Sequence, residues 1–290
     1  MEYTIHIKYL FLIPLFPFFV MCQSNNKKEE TALVLPSDTI PMQYSNERPR
    51  YCLPILNGIV NDSLHFDVFF DTGSSGNNFR IPESFKNLFD SDSAFVQIGK
   101  LKKQMGIDYW GSNQSGIIGI LGNNTIMVGW QFFENRIIEF DFQNQRILVY
   151  DELPDITEYS KIKISISYDK PLIPAQVVIQ GKTIKSDSLL IDTGFNGYME
   201  ISYKHIEEQG IDTTNAYFNI KAVSGRLRHF FSIPADTIKI GDLFTVNQNT
   251  RISFHDYTGD FGLLGTRTLE NFSVILDLIN FDLYLKKIEN

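Results

Sequence analysis

Apolar and polar positions change pattern twice along the chain. Tyr9 to Met21 reads YLFLIPLFPFFVM, without a charge. The run is shorter than the roughly 20 residues of a membrane-spanning helix, and Pro14 and Pro17 break a long helix. Lys8 precedes it and the polar stretch Gln23 to Glu30 follows. This predicts an export signal over residues 1–21 and a polar tether over 22–38. From residue 39 onward, short apolar runs alternate with Gly, Asn, Asp and Pro turns, the pattern of β-strands. Two short helices interrupt it. Pro82 to Phe89 has Pro in its first turn. Ser202 to Gly210 has Ser at the N-cap and Gly past the end. His205, on that second helix, reads as a surface or packing residue.

The strand pattern repeats. Tyr51 to Gly58 leads to Phe69-Phe70-Asp71-Thr72-Gly73, and Leu172 to Gly181 leads to Leu190-Ile191-Asp192-Thr193-Gly194. Gln97-Ile98-Gly99 is matched by Lys239-Ile240-Gly241, and Asp108-Tyr109-Trp110-Gly111 by Asp256-Tyr257-Thr258-Gly259. Ile117-Ile118-Gly119 is matched by Leu263-Leu264-Gly265, and Phe140-Asp141-Phe142 by Leu276-Asp277-Leu278. Landmarks recurring in one order predict a tandem duplication. The fold class is therefore all-β, with two β lobes related by a pseudo-two-fold and one short helix per lobe. The lobes span residues 39–157 and 158–290.

Composition narrows the function. With 26 Lys+Arg against 34 Asp+Glu the chain carries −8, which argues against nucleic acid. Aromatic residues at 13% argue against disorder. Two cysteines make no disulfide framework. His and Cys show none of the usual zinc spacings, and there is no P-loop or nucleophile elbow, so neither a metal nor a cofactor is expected. Cys52 reads as a small apolar residue in a strand.

Asp-Thr-Gly occurs twice, at matching places in the repeat. Each Asp follows an apolar strand and each Gly permits a sharp turn. A carboxylate at the mouth of an apolar strand is costly to bury alone. A two-fold between the halves brings Asp71 and Asp192 together. Two adjoining carboxyls cannot both ionise readily, so they share a proton and provide an acid and a base at one pH. The bland alternative is a pair of structural turns with each Asp capping local N–H groups.

On these motifs, Asp71-Thr72-Gly73-Ser74-Ser75 and Asp192-Thr193-Gly194, the chain resembles the aspartic proteases. It is similar to pepsin-like enzymes in carrying two lobes in one chain and to retropepsin-like domains in its short lobes. The resemblance implies an endopeptidase acting on a peptide or protein, with Asp71 and Asp192 catalytic and Thr72, Gly73, Ser74, Thr193 and Gly194 supporting them. It implies that Thr72 and Thr193 bond across the lobe interface. It also implies that an apolar-apolar-Gly strand, Ile117 to Gly119 or Leu263 to Gly265, threads beneath each Asp loop. Neither metal nor covalent intermediate enters that mechanism. Phe195 departs from the family, which has a small residue after Asp-Thr-Gly. It leaves open a catalytically inactive module that binds a peptide or protein. Pairing of both halves within one chain has the higher effective concentration, so a monomer is expected. Pairing with a counterpart chain, as in retropepsins, is the alternative.

Two further expectations complete the reading. Cys22, directly after the apolar run, resembles the lipidated residue of a bacterial lipoprotein. An acyl group there anchors the exported protein to a membrane; a simply cleaved signal or a retained apolar terminus are the alternatives. Asp71 to Gly99 spans 28 positions (99 − 71) and Asp192 to Gly241 spans 49 (241 − 192), an excess of 21 in the second half. The excess falls around Tyr217 to Ile233, where two apolar arms flank Ser224-Gly225. This predicts a hairpin with its tip at Ser224, Gly225 and Arg226. By resemblance it is the flap over the substrate; the alternative is a surface hairpin pointing elsewhere.

Overall fold

The apolar runs take up extended backbone, and buried positions alternate with more exposed ones from Leu56 to Val60 and from Ile173 to Ile179. The computed structural model describes residues 33–44, 53–110, 122, 124–223, 226–253 and 262–288. The expected export signal, Cys22, Cys52, Gly111, Ile117 to Gly119, the expected hairpin tip at Ser224-Gly225 and Asp256 to Gly259 lie outside the described residues.

The protein is predominantly β. Among the described residues, twenty strands form two sheets. The strands up to residue 150 are β1 (Asp38–Tyr44), β2 (Pro54–Val60), β3 (Leu64–Phe70), β4 (Asn78–Pro82), β5 (Ser93–Ile98), β6 (Leu101–Trp110), β7 (Thr125–Val128), β8 (Ile137–Asp141) and β9 (Arg146–Tyr150). Then come β10 (Ser160–Lys163), β11 (Ser165–Ser167), β12 (Lys170–Ile179), β13 (Lys182–Asp192) and β14 (Met199–Ser202). The chain continues with β15 (Tyr217–Val223), β16 (Arg226–Ile240), β17 (Leu243–Ser253), β18 (Gly262–Gly265), β19 (Phe272–Asp277) and β20 (Asp282–Lys287).

One sheet has the order β10-β20-β19-β8-β9-β1-β2-β3-β7-β4-β6-β5, and β5 also pairs with β2. The other has the order β11-β12-β13-β18-β14-β17-β16-β15, and β12 also pairs with β16. The step from residue 157 to 158 falls within the reach of a single sheet, because β19 pairs with β8 through Val274↔Phe140 to Asp277↔Ile137. The apolar core is continuous across both sheets. Phe70, Phe79, Phe133, Phe140 and Phe272 are among its fully buried side chains. Burying side chains of this size stabilises the fold by roughly 1.5–3 kcal/mol each.

The helices are few. Tyr203–Gln209 forms α1 as the sequence predicts: Ser202 Oγ accepts from the Lys204 N–H, and Gly210 takes a left-handed φ of 56° that ends it. Glu83–Leu88 is a 3-10 helix that starts after Pro82, the last residue of β4. Two single turns are additional to the expectation of one helix per lobe. They are a 3-10 turn at Trp130–Phe133 after Gly129, and α2 (Thr266–Leu269) after Gly265. Four residues leave too little 3.6-residue periodicity to read.

The repeat landmarks meet mixed outcomes. Gly99 and Gly241 hold φ of 58° and 59° in the two-residue turns of β5–β6 and β16–β17. Asp141 and Asp277 each accept backbone N–H groups in the turn before a closing strand. Gly58 and Gly181 are not counterparts. Gly58 lies inside β2 against Val68, whereas Gly181 turns between β12 and β13 with φ 72°.

Candidate active site

Asp71 directly follows β3, and Asp192 ends β13. Each is backed by a parallel strand. β3 pairs with β7 from Asp67↔Thr125 to Phe70↔Val128, and the Asp71 N–H donates to the Val128 carbonyl at 3.0 Å. β13 pairs with β18 from Leu189↔Gly262 to Asp192↔Gly265. The strand beside Asp192 is the expected Leu263-Leu264-Gly265. The strand beside Asp71 is not Ile117 to Gly119 but Met127-Val128, running into Gly129, which corrects the sequence reading. Two apolar-apolar-Gly tripeptides compete in the first half, and only a parallel ladder with β3 selects between them. A Cβ on Gly129 meets the Ser74 carbonyl oxygen at 2.6 Å, and one on Gly265 meets the Phe195 carbonyl oxygen at 2.5 Å. Glycine lets each strand pass directly under the Asp loop.

The two Asp-Thr-Gly loops are joined by reciprocal hydrogen bonds. The Thr72 N–H donates to Thr193 Oγ1 at 2.9 Å, and the Thr193 N–H donates to Thr72 Oγ1 at 3.0 Å. Each hydroxyl then donates across to the other strand: Thr72 Oγ1 to the Ile191 carbonyl at 2.6 Å and Thr193 Oγ1 to the Phe70 carbonyl at 2.8 Å. Both threonines are fully buried. Threonine suits the place because its single hydroxyl accepts one bond and donates another.

This lock brings Asp71 and Asp192 together. The Gly73 N–H donates to Asp71 Oδ1 at 2.8 Å, and the Gly194 N–H donates to Asp192 Oδ1 at 2.9 Å. Each glycine also faces the opposite carboxyl. A Cβ on Gly73 lies 2.8 Å from Asp192 Cγ, and one on Gly194 lies 2.7 Å from Asp71 Cγ. Any side chain at either position pushes the carboxyls apart.

Burial pushes the Asp71 carboxyl above its ordinary range, opposed by a hydrogen bond with Asp192, the Gly73 N–H and the positive charges of Lys170 and Arg80. Burial also pushes Asp192 well above that range, and there the negative charge of Asp71 and the hydrogen bond to it add to the rise. Both directions favour retention of a proton, and in so close a pair that proton is assigned to neither carboxyl alone.

The residues around the pair explain Ser74 and Phe195. The Ser74 N–H donates to the Asp71 carbonyl at 3.0 Å and the Phe195 N–H to the Asp192 carbonyl at 3.1 Å, so the two loops turn alike. The Phe195 ring is buried with Leu172, Leu190 and Leu263. Leu53, Ile55, Phe69, Trp110 and Met127 form a second cluster. Phe69 and Leu190 lie two residues before the aspartates, on the same strand faces. Two surface concavities among the described residues lie elsewhere. One is lined by Tyr159, Ser273 and Lys287, the other by Gln176, Lys185 and Lys239.

The hairpin expected around Ser224-Gly225 is present. β15 and β16 pair from Tyr217↔Ser232 to Val223↔Arg226, with β15 at the edge of its sheet. Arg226 opens β16, and the tip residues Ser224 and Gly225 lie outside the described residues.

Sequence reasoning missed Gly129, Lys170 and Arg80. For Gly129 a spacing was present: Gly129 to Asp141 is 12 positions (141 − 129), as is Gly265 to Asp277 (277 − 265), whereas Gly119 to Asp141 is 22 (141 − 119). For Lys170 and Arg80 no motif was available, since they reach the site only through folding. Comparison with protein-family models found no match, and no curated protein matches the sequence.

Proposed function

We propose that the chain is an exported aspartic endopeptidase. In this reading two β lobes, related by a pseudo-two-fold, present Asp71 and Asp192 to an extended peptide. The observation that carries the reading is the reciprocal joining of the two Asp-Thr-Gly loops. Each Thr makes the same two bonds across the contact and each Asp accepts the same N–H within its own loop, with matching distances 0.1–0.2 Å apart. Further support comes from strands that correspond in kind. β3 with β7 and β13 with β18 are both parallel pairs, as are β4 with β6 and β14 with β17.

In the proposed reaction, a water between the carboxyls loses a proton to the ionised oxygen as it attacks the scissile carbonyl. The protonated carboxyl donates to the carbonyl oxygen. The tetrahedral intermediate collapses as a proton passes to the departing amine. The Gly73 and Gly194 N–H groups orient the carboxyls, and the threonine lock holds them at a fixed separation. Both aspartates come from one chain, which favours a working monomer. Cys22, if acylated, tethers the enzyme to a membrane outside the cytoplasm.

The competing reading, peptide binding without cleavage, rests on Phe195. The burial of its ring among leucines, and the like turn of both loops, support an intact pair instead. The test is turnover of a fluorogenic peptide library between about pH 3 and pH 7, where such pairs titrate, with pepstatin as control. Asp71→Asn and Asp192→Asn are each expected to abolish cleavage while the protein stays folded by thermal melt. Full activity in either variant overturns the assignment. Saturable peptide binding by the wild type with no turnover at any pH favours the binding module.

A further inference from the structure

Lys170 opens β12, directly after a two-residue turn in which Tyr168 and Asp169 both hold left-handed φ values of 50° and 58°. That turn closes the β11–β12 hairpin through Ser167↔Lys170. It leans on the 3-10 turn that follows β7, because Trp130 Nε1 donates to the Asp169 carbonyl at 2.8 Å. Lys170 Nζ in turn donates to the Gly73 carbonyl at 2.8 Å. Gly73 therefore touches three groups at once. Its N–H holds Asp71, its Cα faces the Asp192 carboxyl, and its carbonyl holds the Lys170 ammonium. A half-buried cation thus bonds the same residue, Gly73, that touches both carboxyls.

We propose that Lys170 is a positioning residue. It ties the β11–β12 turn to the Asp71 loop, and its charge sets the pH range in which the Asp71–Asp192 pair keeps a single proton. This rests on the reading of that pair as the working site.

The charged groups around the pair come from separate elements. Arg80 on β4 acts on Asp71, whereas Lys170 acts on both carboxyls. Arg267 on α2 lies over the Tyr198 ring, with its guanidinium 5.8 Å from the ring centre. Each carboxyl also acts on the other. Burial and mutual repulsion raise the pair, which by themselves place its single-proton range at higher pH. A nearby cation favours ionised carboxyls, so Lys170 moves both protonation steps of the pair to lower pH. The site then keeps one ionised carboxyl in more acidic surroundings than the pair alone allows.

Three variants separate charge from tether. Lys170→Met removes both, Lys170→Gln keeps an N–H donor without charge, and Lys170→Arg keeps the charge. Both limbs of the pH profile of kcat/KM are expected to move to higher pH by about half a unit or more in the Met and Gln variants. They stay near wild type in the Arg variant. A 13C-carboxyl NMR titration of the aspartates, with Asp71→Asn and Asp192→Asn for assignment, reads the same shift without turnover. Lack of turnover in the wild type refutes the peptidase reading alone, and the titration still decides the role of Lys170. Thermal melts accompany each variant, and the Gln variant carries the test where the Met variant does not fold. Unchanged titration in the Gln variant, or an equal shift in the Arg variant, overturns the proposal.

Discussion

Thr72 and Thr193 show how much of the site hangs on two methyl-bearing hydroxyls. Thr72→Val keeps the shape and removes an acceptor for the Thr193 N–H and a donor for the Ile191 carbonyl. Leaving buried polar groups unpaired costs about 1–3 kcal/mol each. Thr72→Val is expected to lower unfolding free energy by about 2–4 kcal/mol in urea titrations and to cut turnover. Thr72→Ser, which keeps the hydroxyl, is expected to stay within about 1 kcal/mol of wild type. The carboxyl pair makes a second residue-scale prediction, on stability. Both aspartates are raised above the ordinary 3.8, so the folded state binds protons more tightly than the unfolded chain. Their contribution is full below that value and is lost as pH rises through the folded values. Asp141 and Asp282, which burial raises but which Asn144 and Arg146 or Lys161 and Lys163 lower by more, act in the opposite sense below 3.8. Between about pH 4 and pH 7, Asp192→Asn is therefore expected to flatten a fall in melting temperature that the wild type shows. An equally steep fall in the variant refutes this.

At the scale of elements, the strand that passes under each Asp loop is the clearest lesson. The sequence shows both Asp-Thr-Gly loops, the closing strands and the Ser202–Gly210 capped helix directly, because each is written in a few adjacent residues. It offered Ile117-Ile118-Gly119 for the strand under Asp71, since apolar-apolar-Gly says nothing about which partner strand it meets. The β15–β16 hairpin makes the element-scale prediction. Its arms were legible as apolar runs around Ser224-Gly225. Deleting Val223 to Leu227 is expected to lower kcat/KM on the order of 10²-fold, the scale of lost substrate positioning. The melting temperature changes little, because the deleted strand residues pair only between β15 and β16, beyond the β16–β17 ladder that starts at Phe230↔Ser253. Normal turnover in the deletion variant shows that the hairpin points away from the pair.

For the whole molecule, the N-terminal reading gives a separable test. Cys22→Ser is expected to move the protein from the membrane to the soluble fraction of an expressing bacterium, since a single lipid is the only anchor proposed. An unchanged membrane pool excludes that tether. The sequence by itself determined the β character, the two Asp-Thr-Gly loops, the Ile-Gly turns at Gly99 and Gly241 and the extra hairpin. All of these follow from local alternation, turn chemistry and repetition, which neighbouring residues encode. Only the tertiary structure decided that Met127-Val128-Gly129 backs Asp71 and that β8 and β19 join strands from both sides of residue 157 in one sheet. It alone decided that Lys170 reaches Gly73 from 97 residues away. Strand pairing and long-range charge contacts depend on which backbones meet in space. Many registers satisfy the same apolar pattern, and packing around the buried threonine lock selects one of them.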